Sequence, residues 1–361
     1  MIKINYPKNI NEFEKDYKKV FNISSESWDE LTKDMDSSIR EVLKNHEIES
    51  LDDLLVASFD VLLDIYNNFP EQKIEKDSSG KKIKSKYEKV FDYEKYQPDI
   101  SKFFMEKSKE LNLKTCYFCN IDFINTINFD VLDILKNGTK QELRELDGVG
   151  KEKAQIIITY RKDTSINSIE EIASIENIKI GEATLKKIKN SKVKKNHFTL
   201  DHFLPKAICP LLALSLYNFV PSCYSCNSKF KKEKKLLQTY LSPTSKDFSV
   251  GEDIQFKAYY KKEITKENLI LEMEYPEKVQ NYVSTFKLVG RYEFHKNEAF
   301  SLIEKHEKYS ETRIEEIANI LKISPHQVKK DIFGEELFDG DIQNKSLIKM
   351  KRDVAKNIGL L

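Results

Sequence analysis

The chain has 361 residues, 40% hydrophobic and 33% charged, a composition that fits a globular protein of two or three domains with a heavily charged surface. Its 60 Lys and Arg against 59 Asp and Glu leave a formal net charge of +1, so no global basic field advertises nucleic acid and any such footprint must be local. No apolar run approaches the roughly 18 residues of a membrane helix, and the opening MIKINYPKNINEFEKDY lacks the apolar core of a signal peptide. A cytoplasmic protein without membrane partners is expected.

Taken in chain order, Phe13, Tyr17 and Phe21 recur at helical steps, and Leu51, Leu54, Leu55, Phe59, Leu62 and Leu63 follow the helical period. Residues 1–70 are therefore read as helical, with Trp28 in the first turn of one helix. The stretch QKIEKDSSGKKIKSK (72–86) has only Ile74 and Ile83 as apolar anchors and reads as a mobile solvated loop. PDISKFFMEKSKELNL (98–113) reads as a helix starting just after Pro98. DIQFKAYY (253–260) and NLILEMEY (268–275) read as two strands joined by a charged turn. Beyond 276, Val279, Tyr282, Val283 and Phe286, then Ile314, Ile317, Ile320 and Leu321, give a helical tail.

Four of the five cysteines form two pairs, Cys116-x-x-Cys119 and Cys223-x-x-Cys226. The spacing lets both sulfurs of a pair reach one ion. Four thiolates suit tetrahedral zinc and leave no open position, so a structural ion is expected. Cys209, in AICPLL, reads as a buried small hydrophobe. Between the pairs, FTLDHFLPKAICPLLALSLYNFVPSCYSCNSKFKK carries Asp201 and His202 at the end of a strand-like run, Asn218 before FVP, and Asn227 directly after the second pair. Phosphodiester hydrolysis needs a water, a base and a cation. A neutral imidazole can be the base, and a carboxylate and an amide oxygen are hard ligands suited to magnesium.

The order CxxC, DHxxPK, N, CxxCN resembles the HNH endonucleases, the zinc-bearing group of ββα-metal nucleases, on Cys116, Cys119, Asp201, His202, Pro205, Lys206, Asn218, Cys223, Cys226 and Asn227. The last position is Asn rather than His. The resemblance implies His202 as general base, Asp201 and Asn227 as ligands of the catalytic Mg2+ or another divalent ion, Asn218 as a brace that positions His202, and Zn2+ on the four cysteines.

A long segment separates Cys119 from Asp201, so an insert whose ends lie close together is expected. Within it, Leu146-x-Gly148-Val149-Gly150-x-x-x-Ala154 resembles a helix–hairpin–helix signature. Glycines permit the tight turn and let backbone N–H groups approach a phosphate at a helix N-terminus. Lys151 and Lys153 add charge. Ile180-Gly181-Glu182-Ala183-Thr184-Leu185 resembles a second copy with Lys179 in place of the first glycine. Such modules hold DNA by its backbone. Lys186, Lys187, Lys189, Lys192, Lys194 and Lys195 on one side of the motif, and Lys229, Lys231, Lys232, Lys234 and Lys235 on the other, are expected to neutralise phosphates. Arg291 is read as an ordinary polar junction between helices.

The expected fold is α+β and mostly helical: a helical N-terminal region (1–113), a zinc-bound ββα-metal core (114–125 and 196–240), an inserted helix–hairpin–helix module (126–195) and a mixed α/β C-terminal region (241–361). The expected function is metal-dependent cleavage of duplex or branched DNA. The whole chain also resembles bacterial HNH proteins, some of them linked to phage defence, which leaves room for a partner such as an ATPase encoded nearby. The alternatives are an inactive zinc-stabilised DNA-binding or adaptor protein and a nuclease directed at RNA.

Overall fold

The fold is α+β and about half helical, as seen in a computed structural model that describes residues 1–71, 75–263, 265–338 and 345–361. The chain divides into two compact units, Met1–Asn125 with Phe198–Leu361, and Thr126–His197. Each unit has its own apolar core. No helix among the described residues is long and apolar enough to cross a membrane.

In the larger unit, the N-terminal helices, the cysteine-bearing segments and the C-terminal helices share one core. Of the residues at helical steps, Phe13 and Tyr17 are buried and Phe21 is partly buried; Trp28, in the first turn of its helix, is buried and its indole N–H donates to Glu49 O at 3.0 Å. Two antiparallel hairpins complete the unit. Thr199–His202 pairs with Phe219–Ser222, Thr199 opposite Ser222 and His202 opposite Phe219. Gln255–Tyr260 pairs with Leu269–Glu274, within the two runs read as strands.

Two expectations need correction. The helix read as starting after Pro98 spans Tyr93–Glu106, with Pro98 inside it. Its six additional N-terminal residues, Tyr93 to Pro98, bring Tyr93 into the site described below. The stretch 72–86 is not simply a solvated loop. Residues 72–74 lie outside the described residues, but beyond them Lys76 bridges Lys82. The Asp77 carboxylate collects the Ser79 and Lys81 amides at 2.8 and 3.0 Å, and Gly80 takes a left-handed φ of +80°. Ion pairs Lys82–Glu88 (2.6 Å) and Lys84–Asp92 (2.9 Å) fasten this small hairpin. A polar segment is thus ordered by turn chemistry that hydropathy does not register.

The smaller unit is closed by Thr126–Phe129 paired with Val193–Asn196. Inside it the helix Lys140–Arg144 leads through a tight turn into Lys151–Tyr160, and the short 3-10 helix Glu170–Ser174 leads through a matching turn into Glu182–Lys189. Gly148 has φ +91° and Lys179, its counterpart, φ +51°. Gly150 and Gly181 stand as the N-caps of the two following helices. The weak sequence repeat is therefore a repeat of backbone geometry, with a lysine accepting the left-handed strain that glycine avoids in the first copy.

Candidate metal centre and catalytic cavity

The first cysteine pair sits on a hairpin knuckle. Thr115 bridges Phe123, the Cys116 amide donates to Asp122 O at 2.9 Å, and Asn120 closes the turn with φ +53°. The second pair follows directly on the strand Phe219–Ser222 and opens a π-helical turn, Ser225–Lys231. The two knuckles meet so that all four sulfurs lie within 4.8 Å of one another, buried and unbridged. Tetrahedral zinc with Zn–S of about 2.3 Å needs sulfurs ~3.8 Å apart, so the four thiols fit such an ion with little adjustment. The cluster can hold a metal such as zinc. Backbone amides already point at it: Cys223 N donates to Cys116 Sγ at 3.3 Å and Ile121 N to Cys119 Sγ at 3.4 Å. Burial alone would raise the Cys119 thiol, but hydrogen bonds from the other three cysteines and the charge of Arg291 hold it well below its usual value.

Supporting groups come from far along the chain, and none was legible as such in the sequence. The hydroxyl of Tyr282 donates to Phe118 O at 2.9 Å and that of Tyr292 to Cys119 O at 2.6 Å. Arg291, read as a polar junction, instead donates to Cys226 Sγ (3.2 Å) and Cys119 Sγ (3.4 Å), with Asp122 at 2.9 Å.

At the opposite end of the Thr199–His202 ladder, a cavity of about 360 Å³ is lined by Asp201, His202 and Asn227 together with Tyr93, Lys206, Lys82, Lys84, Asp92, Glu94 and others. The carboxylate, imidazole and amide singled out in the sequence thus share one cavity. His202 Nε2 lies 2.9 Å from Ala213 O. A carbonyl only accepts, so Nε2 carries the hydrogen and Nδ1 is left as the acceptor. Burial lowers the pKa of His202 to about 3, Lys206 and Lys231 pushing the same way, so the ring is neutral. The Tyr93 ring packs against it in a T-shaped arrangement with centroids 4.6 Å apart, and Lys206 Nζ stands 5.0 Å over the Tyr93 ring. Asn218 is wholly buried as a hub for the 203–217 loop. Its Oδ1 accepts from Leu204 N at 2.8 Å, and its Nδ2 donates to Leu204 O and Leu212 O, both at 3.1 Å. The main-chain O of Asn218 also accepts from Phe203 N, the residue after His202.

Lys231 corrects an expectation. Read as facing phosphate, it is fully buried. Its Nζ donates to His202 O at 2.9 Å and stands 2.9 Å from Asp201 Oδ2. The buried ammonium and carboxylate thus form an ion pair, with the His202 carbonyl as a second acceptor of the ammonium. Burial raises the Asp201 carboxyl to about 6, and Lys231 offsets only part of the rise. Among the other basic residues, Lys229 and Lys232 are exposed and Lys206 is half-buried.

In the smaller unit, Lys151 is exposed and Lys153 reaches back to Gly148 O at 3.1 Å. Val149, expected to belong to the DNA-binding hairpin, is buried and donates its amide to Leu146 O. Lys195 and Lys189 are held by Glu142 and Glu170, so part of the basic run is neutralised internally. In comparisons with known proteins, no family model matches the chain, no curated protein matches it, and no solved structure matches it.

Proposed function

We propose that the chain is a metal-dependent HNH-type endonuclease that hydrolyses DNA phosphodiester bonds. The observation that carries this reading is the meeting of Asp201, His202 and Asn227 in one cavity, on a hairpin whose other end leads into the four-cysteine cluster. A neutral imidazole with Nε2–H tied to Ala213 O has Nδ1 free to take a proton from a water. Asn218 ties the chain on both sides of the 203–217 loop and so holds the hairpin end that carries His202. Asp201 and Asn227 offer the hard oxygen donors that magnesium takes, with the Lys231 ammonium paired to Asp201 Oδ2 at 2.9 Å. When bound there, a divalent ion supplies positive charge beside the scissile phosphate and the leaving oxygen. Zinc on the four cysteines fixes the two knuckles to each other.

The smaller unit is proposed to hold the DNA backbone as a tandem helix–hairpin–helix module, through the helix N-termini at Gly150 and Gly181 and through Lys151 and Lys153. Gly148 is unsuited to testing this. A Cβ there would meet Thr184 at 2.8 Å, and the backbone is left-handed, so its replacement would disturb the unit itself. Charge reversal at Lys151 together with Lys153 is the cleaner probe and should weaken duplex binding while leaving zinc content unchanged.

The nuclease reading is tested with supercoiled plasmid and Mg2+, comparing wild type with His202→Ala at matched zinc content. Nicking by wild type alone supports it. No magnesium-dependent nicking by wild type, or equal nicking by both, overturns it, and cleavage confined to structured RNA would change the substrate.

A further inference from the structure

We propose that Arg291 belongs to the four-cysteine centre: its guanidinium retains the bound ion by hydrogen-bonding one sulfur from each cysteine pair and by cancelling part of the charge of the cluster. The inference needs only a metal on the four thiolates and is independent of nuclease activity.

The geometry is specific. Nη1 lies 3.2 Å from Cys226 Sγ and Nη2 lies 3.4 Å from Cys119 Sγ, so the two arms of one rigid fork straddle the two knuckles. The same Nη2 meets Asp122 Oδ2 at 2.9 Å, and the guanidinium carbon stands 5.3 Å over the Phe230 ring. Its side chain is only 16% exposed. A divalent ion on four thiolates carries two uncompensated negative charges, and burying them without a partner is costly. A planar guanidinium supplies one positive charge and two donors at once, whereas an ammonium cannot span both sulfurs. Hydrogen bonds to ligand sulfur also withdraw electron density, making each thiolate a poorer target for protons and electrophiles. Arg291 lies on the short helix Leu288–Glu293, whose Tyr292 also grips Cys119 O. The C-terminal region is therefore fastened to the metal centre itself.

Arg291 acts through the sulfurs, so it is a positioning residue, and its test needs a signal that loosened packing would not move. The full-length protein is loaded with Zn2+ or with Co2+ as Arg291→Met, Arg291→Lys and Tyr292→Phe, the last removing a hydrogen bond from the same helix but none to sulfur. For Arg291→Met, zinc transfer to a chelator at fixed pH should speed up about tenfold to hundredfold, the usual range for a lost outer partner of a metal ligand. Its thiolate-to-cobalt charge-transfer band should move to longer wavelength, since sulfur lone pairs rise in energy when donors leave. Arg291→Lys should release zinc at an intermediate rate, and Tyr292→Phe should leave the band in place. Should Arg291→Met not fold, the same two readings on Arg291→Lys decide. Unchanged release and band position in the Arg291 variants overturn the inference. A wild type that takes up neither ion overturns it together with the metal centre.

Discussion

The two ends of one four-residue ladder are built to opposite specifications. At the Thr199–Ser222 end the chain runs into a buried cluster of four sulfurs, where backbone amides, tyrosine hydroxyls and Arg291 surround the thiols or their knuckles. At the His202–Phe219 end it opens on a cavity lined by charges of both signs. Yet each end has recruited a cation from elsewhere, the half-buried Arg291 for the sulfurs and the fully buried Lys231 for Asp201. The contrast is one of closure: the sulfur end is sealed by its neighbours, whereas the other end keeps an open wall with its polar groups fixed from behind.

The largest effect should come from breaking the closed end. Cys116→Ser removes a ligand that no neighbour replaces, and structural zinc in small domains contributes on the order of 10 kcal/mol to folding. Loss of zinc should be accompanied by collapse of hydrogen-exchange protection across 1–125 and 198–361, while 126–197, with its own core, keeps its slow amides. Equal loss in both units would contradict the division.

At the open end, Lys231→Met should cost about 3–5 kcal/mol in denaturant unfolding, the range for leaving one buried charge unpaired. Lys231→Met combined with Asp201→Asn should recover part of that, whereas simple additivity would mean that the two groups do not interact. Asn218→Ala strands buried backbone groups of Leu204 and Leu212 and should cost about 2–4 kcal/mol, with faster amide exchange confined to 203–217. If the loss is spread evenly, Asn218 is not the brace of that loop.

The smallest effect lies in the inserted unit. Lys195, together with the Thr139 cap, lowers the carboxyl of Glu142 to about 2. A depressed carboxylate stabilises above its unfolded value near 4.5 and loses that contribution as pH falls toward 2. Both partners are partly exposed, so Glu142→Gln should cost only about 0.5–1 kcal/mol at pH 7. The difference from wild type should vanish near pH 2, as read by exchange within 126–197.

Legibility in the sequence followed the range of the signal. The cysteine pairs were visible because short spacings report local geometry, while the run carrying Asp201, Asn218 and Asn227 was singled out by its resemblance to a known motif. The strands 255–260 and 269–274 and the buried Phe13 and Tyr17 were visible because periodicity reports burial. The start of the Tyr93 helix was hidden because Pro98 imitates a first-turn proline. Lys231 was indistinguishable from its neighbours in a lysine run, since a charge carries no mark of whether a carboxylate waits for it inside. Arg291 and Tyr292 are far from the cysteines in sequence, and only the folded chain brings them to the sulfurs. The polar hairpin at 75–84 was missed because its order comes from an aspartate-capped turn rather than apolar contacts.

The central claim is that the chain carries two cation sites of unlike chemistry, one of sulfur and one of oxygen, at opposite ends of that ladder. Anomalous diffraction from crystals of the zinc-loaded protein soaked in Mn2+ addresses it most directly. The account predicts a zinc peak among Cys116, Cys119, Cys223 and Cys226, and a separate manganese peak touching Asp201 and Asn227 that disappears in Asp201→Asn. Manganese bound elsewhere, or bound equally well without that carboxylate, would contradict it.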